Sequence, residues 1–95
     1  MAVGLQLDFS DLGLDDYDRV CEALDFPAQW PDGLLAHAAM EVDGRLRVTD
    51  AWSSRQDFDR FVTERLQSAV GEAAGDRAQE PQVTETALHS FHMRG

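Results

Sequence analysis

Two side chains able to exchange a proton, His37 and Asp50, lie on either side of Asp43-Gly44. Asp-Gly between two apolar-rich stretches is the strongest short hairpin signal, and it selects a two-residue type I′ turn. That turn decides which residues face each other: Val42 meets Arg45, Ala39 meets Val48, His37 meets Asp50 and Leu35 meets Trp52. Counted outward from the closing pair, 37 and 50 form a non-hydrogen-bonded pair, the kind with the closest side chains. Their Cβ atoms are then about 4.5–5.5 Å apart, within reach of an imidazole-to-carboxylate hydrogen bond. Leu35, His37, Ala39, Val48, Asp50 and Trp52 share one face by the alternation of a strand. The catalytic reading makes His37 a general acid/base and Asp50 the anion that orients its ring. Trp52 becomes a stacking wall, with Leu35 and Tyr17 as further substrate contacts. The other reading is a satisfied polar pair that pins strand register or a subunit contact. A one-residue slip of the hairpin would abolish both.

Other candidate residues lead to less. Tyr17 falls on the apolar face of the first helix and could aim its hydroxyl into a pocket; it is also an ordinary core residue by its spacing. Cys21 lies on the same stripe, where a buried inert thiol is the expectation. His89 and His92 could join His37 as metal ligands, but in a strand they point to opposite faces. No metal site is therefore expected. No phosphate-cradling glycine loop or dinucleotide fingerprint occurs. The absence of Lys excludes Schiff-base chemistry and a covalently held pyridoxal group. No cofactor is expected.

The elements that must position these groups follow from periodicity. Val3, Leu5, Leu7 and Phe9 alternate with polar residues as a half-buried strand does. From Leu14 the spacing becomes helical, with Leu14, Tyr17, Val20 or Cys21, and Leu24 inward and Asp15, Asp16, Arg19 and Glu22 outward. Phe26-Pro27 should end this helix. Pro31-Asp32-Gly33 reads as a turn into the strand Leu34–Val42, and Arg45–Trp52 returns. Ser54 with Asp57 three residues on predicts a helix cap, and Phe58, Phe61, Val62, Leu66, Ala69 and Val70 a single helical stripe. The stretch from Gly71 to Glu80 reads as a frayed helix end and loop, and Val83 to His92 as a last strand. The order βαββαβ implies an α+β, ferredoxin-like plan, a four-stranded antiparallel sheet with both helices on one face.

Composition bounds the function. Ninety-five residues make one domain, 1–95, which buries only about 60–65% of its unfolded surface, so a partner subunit would help. Leu34, Ala36, Ala38, Met40 and Val42 alternate with the dyad-bearing positions and would leave an apolar second face, so a homodimer is expected. Eight basic residues, all Arg, against 18 acidic ones give a net charge of −10, which repels phosphate backbones and anionic lipid. Nucleic-acid and membrane partners are not expected. The lone cysteine and the lack of a signal-like start fit a cytoplasmic location.

Taken together, Leu7-Asp8-Phe9, Asp16-Tyr17-Asp18-Arg19-Val20, Pro31-Asp32-Gly33-Leu34 leading to His37, Gly44 through Ser54, and Phe58-Asp59-Arg60-Phe61 resemble the dimeric α+β barrel superfamily. The resemblance is nearest to small actinobacterial-type members related to antibiotic-biosynthesis monooxygenases. It implies a homodimer with two facing sheets, helices outside, and a small pocket between helices and sheet in each subunit. His37 and Trp52 match positions from which such members draw pocket residues. The chain has no Asn, so the asparagine of the monooxygenases and of the haem-degrading relatives has no counterpart. The leading expectation is a cofactor-independent acid–base enzyme, a cyclase or isomerase acting on a small aromatic or polyketide-like molecule in secondary metabolism. A cofactor-free monooxygenase of the antibiotic-biosynthesis type is the second, and a non-catalytic small-molecule-binding or assembly protein the third.

Overall fold

A computed structural model describes residues 2–75, 80–90 and 92. Strand β1 (Val3–Asp8) is followed by helix α1 (Leu14–Leu24), strands β2 (Leu34–Val42) and β3 (Arg45–Trp52), and helix α2 (Arg55–Phe61). A π-helical segment (Val62–Leu66) and α3 (Gln67–Ala74) continue α2, and β4 (Gln82–Ala87) closes the sheet. The sheet runs β2-β3-β1-β4 with every neighbour antiparallel, the ferredoxin-like order, and the helices pack on one face. Along β1, Val3, Leu5 and Leu7 are buried while Gly4, Gln6 and Asp8 are half-buried, the alternation their types dictate.

The hairpin obeys its turn. Asp43 and Gly44 have φ of 53° and 79°, both positive as a type I′ turn requires. From there Val42 pairs with Arg45, Ala39 with Val48 and His37 with Asp50. At the far end the expected pairing of Leu35 with Trp52 does not hold, because a bulge between Leu34 and Ala36 brings Leu34 opposite Trp52. The cause lies in the preceding turn. Gly33 (φ 88°) passes its carbonyl to the Ser53 amide at 2.7 Å, while the Leu34 amide folds back to the Pro31 carbonyl at 3.2 Å. These bonds fix where β2 starts, and the extra residue lets Leu34 turn inward (7% exposed) and Leu35 outward (36%). A Cβ on Gly33 would lie 2.5 Å from the Asp57 carboxylate, so glycine is required there for space as well as for φ.

Three helical features depart from the periodic pattern. Asp16, expected on the wet face of α1, is buried; it accepts the Gly13 amide at 3.1 Å and pairs with Arg19. This satisfies a free amide of the first turn, which outweighs the pull of water on that carboxylate. Leu14 is left exposed. The helix stops at Leu24, before Phe26-Pro27, because Asp25 takes a left-handed conformation (φ 55°) and the Phe26 amide returns to the Cys21 carbonyl at 3.0 Å. Ser54 caps α2 by accepting the Asp57 amide at 3.1 Å, as its spacing predicts. The single stripe from Phe58 to Val70 is interrupted, with the Gln67 amide bonded to the Val62 carbonyl five residues back. Within that wider turn Arg65 spans to the Leu24 and Gln29 carbonyls, each at 3.0 Å, with its guanidinium 5.4 Å from the Phe61 ring centre.

Strand β4 ends at Ala87, short of the predicted reach to His92. It is an edge strand bonded to β1 alone, and His89 and His92 lie exposed beyond it. Their predicted opposition across a strand therefore has no strand to rest on. Within the expected loop from Gly71, residues 76–79 fall outside the described residues.

Candidate functional site

Position 37 of β2 and position 50 of β3 present their side chains toward the helices, and His37 Nδ1 sits 2.6 Å from Asp50 Oδ1. The other Asp50 oxygen accepts the indole N–H of Trp52 at 3.1 Å. From α1 comes Tyr17, whose hydroxyl is 2.7 Å from His37 Nε2 and whose ring lies nearly parallel to the imidazole (11°, centroids 5.9 Å apart). The edge of Phe26, from the loop after α1, closes on the imidazole at 5.0 Å. Four polar groups thus form one chain, Tyr17–His37–Asp50–Trp52, set into apolar surroundings. Among the described residues no buried side-chain nitrogen or oxygen lacks a partner.

The proton positions follow from what each group can donate. Ionised Asp50 only accepts, so the imidazole proton sits on Nδ1 and Nε2 keeps its lone pair. Burial pushes the Tyr17 hydroxyl pKa well above its ordinary value, and the Cys21 thiol and the Asp50 carboxylate add to the rise. Tyr17 is therefore a neutral donor at physiological pH, and its proton points at Nε2. The basic nitrogen reaches its surroundings through that hydroxyl.

Beside this chain lies a cavity of about 80 Å³, lined by Tyr17, His37 and Asp50 among apolar side chains such as Leu12, Cys21, Phe26 and Leu46. A cavity that takes up benzene measures ~150 Å³. An aromatic ligand therefore needs the walls to part.

Of the five residues singled out in sequence, His37, Asp50 and Tyr17 converge on this cavity. Trp52 does not offer a stacking face. It is 1% exposed and packed against Phe58 and Phe61, both at 5.6 Å between ring centroids, and its contact with the site is the bond to Asp50. Leu35 sits at the exposed bulge and is not a cavity wall. Two wall residues carry roles that their spacing did not reveal. Phe26 was legible only as a helix end, and Cys21 only as one position of an apolar stripe. Among the described residues no three His, Cys, Asp or Glu side chains converge as a metal ion would require.

No protein-family model matches the sequence, and no curated protein matches it. Solved structures do match in shape. A candidate antibiotic biosynthesis monooxygenase from Chloroflexus aurantiacus is 19% identical, with full coverage of both chains and a TM-score of 0.69. The Mycobacterium tuberculosis protein Rv0793 is 16% identical over 98% of this chain and 100% of its own, also at 0.69. SnoaB, a cofactor-independent oxygenase from Streptomyces nogalater, is 10% identical over 95% of this chain and 93% of its own, at 0.59. At such identities the likeness carries the fold alone, a four-stranded antiparallel sheet with helices on one face in the ferredoxin-like arrangement.

Proposed function

We propose that this chain, built on the ferredoxin-like fold of the antibiotic-biosynthesis-monooxygenase-type barrels, is a cofactor-independent acid–base enzyme for a small aromatic or polyketide-like molecule. The observation that carries the reading is the Tyr17–His37–Asp50–Trp52 chain ending at an apolar cavity. Trp52 and the backbone register hold Asp50, Asp50 holds the ring, and the ring keeps a basic nitrogen behind Tyr17. A weakly acidic O–H or C–H group of the substrate gives its proton to the Tyr17 oxygen. The proton of Tyr17 passes to Nε2, and the imidazolium is stabilised by Asp50. The substrate anion then rearranges or closes a ring, and the proton returns along the same path. General acid–base assistance of this kind contributes about 10²–10⁴ in rate. The apolar walls exclude water, which strengthens each electrostatic contact.

A second reading is supported by the likeness to SnoaB, a cofactor-independent oxygenase. If the deprotonated carbon is electron-rich, its anion reduces dioxygen directly. An activated CH₂ group plus O₂ gives a hydroperoxide after the proton returns, and loss of water leaves C=O. One oxygen atom ends in the product and one in water.

The working unit in this reading is a homodimer. The face of the sheet away from the helices carries Ala36, Ala38, Met40, Thr49 and Ala51, which another sheet can meet closely. Sedimentation at micromolar concentration reads the dimer directly, and a stable monomer would remove it.

Deuterium exchange at the carbon between ring and carbonyl of 2-tetralone tests the chemistry. The wild-type protein should exceed the buffer rate, and His37→Gln should lose about 10²–10⁴ of the excess while keeping a cooperative melt. Oxygen uptake in air marks the second reading, and exchange without uptake the first. Full exchange by His37→Gln sinks both.

A further inference from the structure

Arg65 is partnered unlike the other arginines. Arg19, Arg47, Arg55 and Arg60 each pair with a carboxylate. In a chain with 18 acidic residues, Arg65 instead gives one guanidinium nitrogen, Nη2, to two backbone carbonyls. The first of these belongs to a helix end, where the last carbonyls lack partners within the helix. At the end of α1 the Phe26 amide meets the Cys21 carbonyl and the Asp25 amide meets that of Glu22, while Arg65 meets that of Leu24. The last turn of α1 holds no basic residue, so Arg65 also brings the positive charge that a helix dipole favours there.

Three neighbours of the His37 ring lie on segments that Arg65 supports. Tyr17, at Nε2, is carried by α1, whose end Arg65 holds at Leu24. Phe26, 5.0 Å from the imidazole, lies between the two carbonyls that Arg65 binds. Asp50, at Nδ1, is held by Trp52, which packs 5.6 Å from Phe61. The Arg65 guanidinium in turn lies 5.4 Å from the centre of the Phe61 ring, within cation–π range. Arg65 does not line the cavity itself, so any effect on the site passes through these neighbours.

We infer that Arg65 is a positioning residue for the proton site, keeping Tyr17 and Asp50 aligned on the two nitrogens of His37. It does so at α1, at the loop after α1 and, through Phe61, at Trp52. A planar guanidinium suits this work, because its donors are fixed in direction and it keeps its charge at every physiological pH. The inference rests on the acid–base reading for its consequence in rate, and on geometry alone for its consequence at Tyr17 and His37.

Arg65→Met tests it, since an unbranched stem stays over Phe61 while every donor is lost. The folded variant should form phenolate at lower pH than wild type, read by absorbance at the one tyrosine. The low-field resonance of the hydrogen-bonded His37 Nδ1 proton should broaden or vanish. Exchange of 2-tetralone should fall in kcat more than in KM, by up to about 10²-fold, the order that a misplacement of about 1 Å costs. Arg60→Met removes an exposed pair with Asp57 on the neighbouring turn and should leave all three readouts unchanged. Should Arg65→Met fail to fold, Arg65→Gln carries the same comparison, keeping an amide donor without the reach. A folded variant at position 65 with wild-type phenolate titration and an unchanged His37 resonance overturns the inference, as do equal shifts in Arg60→Met. Failure of both position-65 variants to fold also overturns it, because Arg65 would then hold the fold rather than the site. Neither spectroscopic readout needs turnover, so a wild-type protein that exchanges no proton defeats the acid–base reading alone.

Discussion

The two faces of the sheet each carry a chain of polar side chains, and they are built to opposite ends. On the helix-covered face, Tyr17, His37, Asp50 and Trp52 link α1 to β2 and β3 through three hydrogen bonds, with Asp50 nearly sealed from water. On the opposite face, Gln6, Asp8 and Arg47 link β1 to β3, with Gln6 donating to Asp8 at 3.0 Å and Arg47 at 2.7 Å. Here both charged side chains remain about one-third exposed. Water competes for every bond of the outer chain, so its loss costs little. Around the inner chain water has little access, so its members depend on one another. The inner arrangement can hold a proton in one place; the outer one can only tie two strands together.

The largest effect is expected from breaking the inner chain at its anion. Asp50→Asn sets an amide against two donors, the imidazole N–H and the Trp52 indole. One remains unmet, at a cost of about 1–3 kcal/mol in chemical unfolding. If the ring instead changes tautomer to suit the amide, Nε2 gains a proton and loses its lone pair, and exchange slows by a smaller factor than in His37→Gln. Unchanged stability together with unchanged exchange would place Asp50 outside the network.

A spectroscopic difference should be next in size. Tyr17 is the one tyrosine in the chain, so phenolate absorbance reports it alone. The folded protein should show no phenolate at pH 10, whereas the denaturant-unfolded chain titrates near the ordinary value of about 10. The sign for stability follows. Above the unfolded pKa the unfolded chain has lost a proton that the folded one keeps, so stability is intact below about pH 10 and falls as pH rises further. Ordinary titration in the folded state would mean that the hydroxyl is not held against His37.

The smallest effect belongs to the outer chain. Arg47→Gln should lower the melting temperature less than Asp50→Asn does, and the difference from wild type should shrink with added salt. The Arg47 guanidinium, with help from Gln6, holds the Asp8 carboxyl below its usual range, so any stabilisation is present near neutrality and fades as pH falls through that depressed value. A loss equal to that of Asp50→Asn would erase the distinction between the faces.

Legibility in the sequence ran along the hairpin and stopped at its far end. Asp43-Gly44 specified the turn, and the turn carried the pairing of His37 with Asp50 six positions away. Leu34 and Leu35 are identical in type, so hydrophobic pattern could not say which one turns inward; the Gly33–Ser53 bond decided it. Trp52 looked like a ligand wall because its face was readable and its depth was not. Depth comes from Phe58 and Phe61, residues of another element. The same limit hid the reach of Tyr17 to Nε2, which depends on how α1 lies across β2 and β3. Asp16 misled for a different reason, since a carboxylate that closes a helix start breaks the amphipathic pattern it sits in.

Arg65 has a mechanical consequence. Its guanidinium bridges the end of α1 and the following loop, through the Leu24 and Gln29 carbonyls, from a π-helical segment whose Leu66 is a cavity wall. The loop carries Phe26, which presses on His37 from the other side. One side chain therefore works as a tie rod between opposing walls of the same chamber. The chamber cannot widen by moving either wall independently while the tie holds, so loop and helix must swing together. The strut is anchored to backbone oxygens, which no side-chain substitution removes.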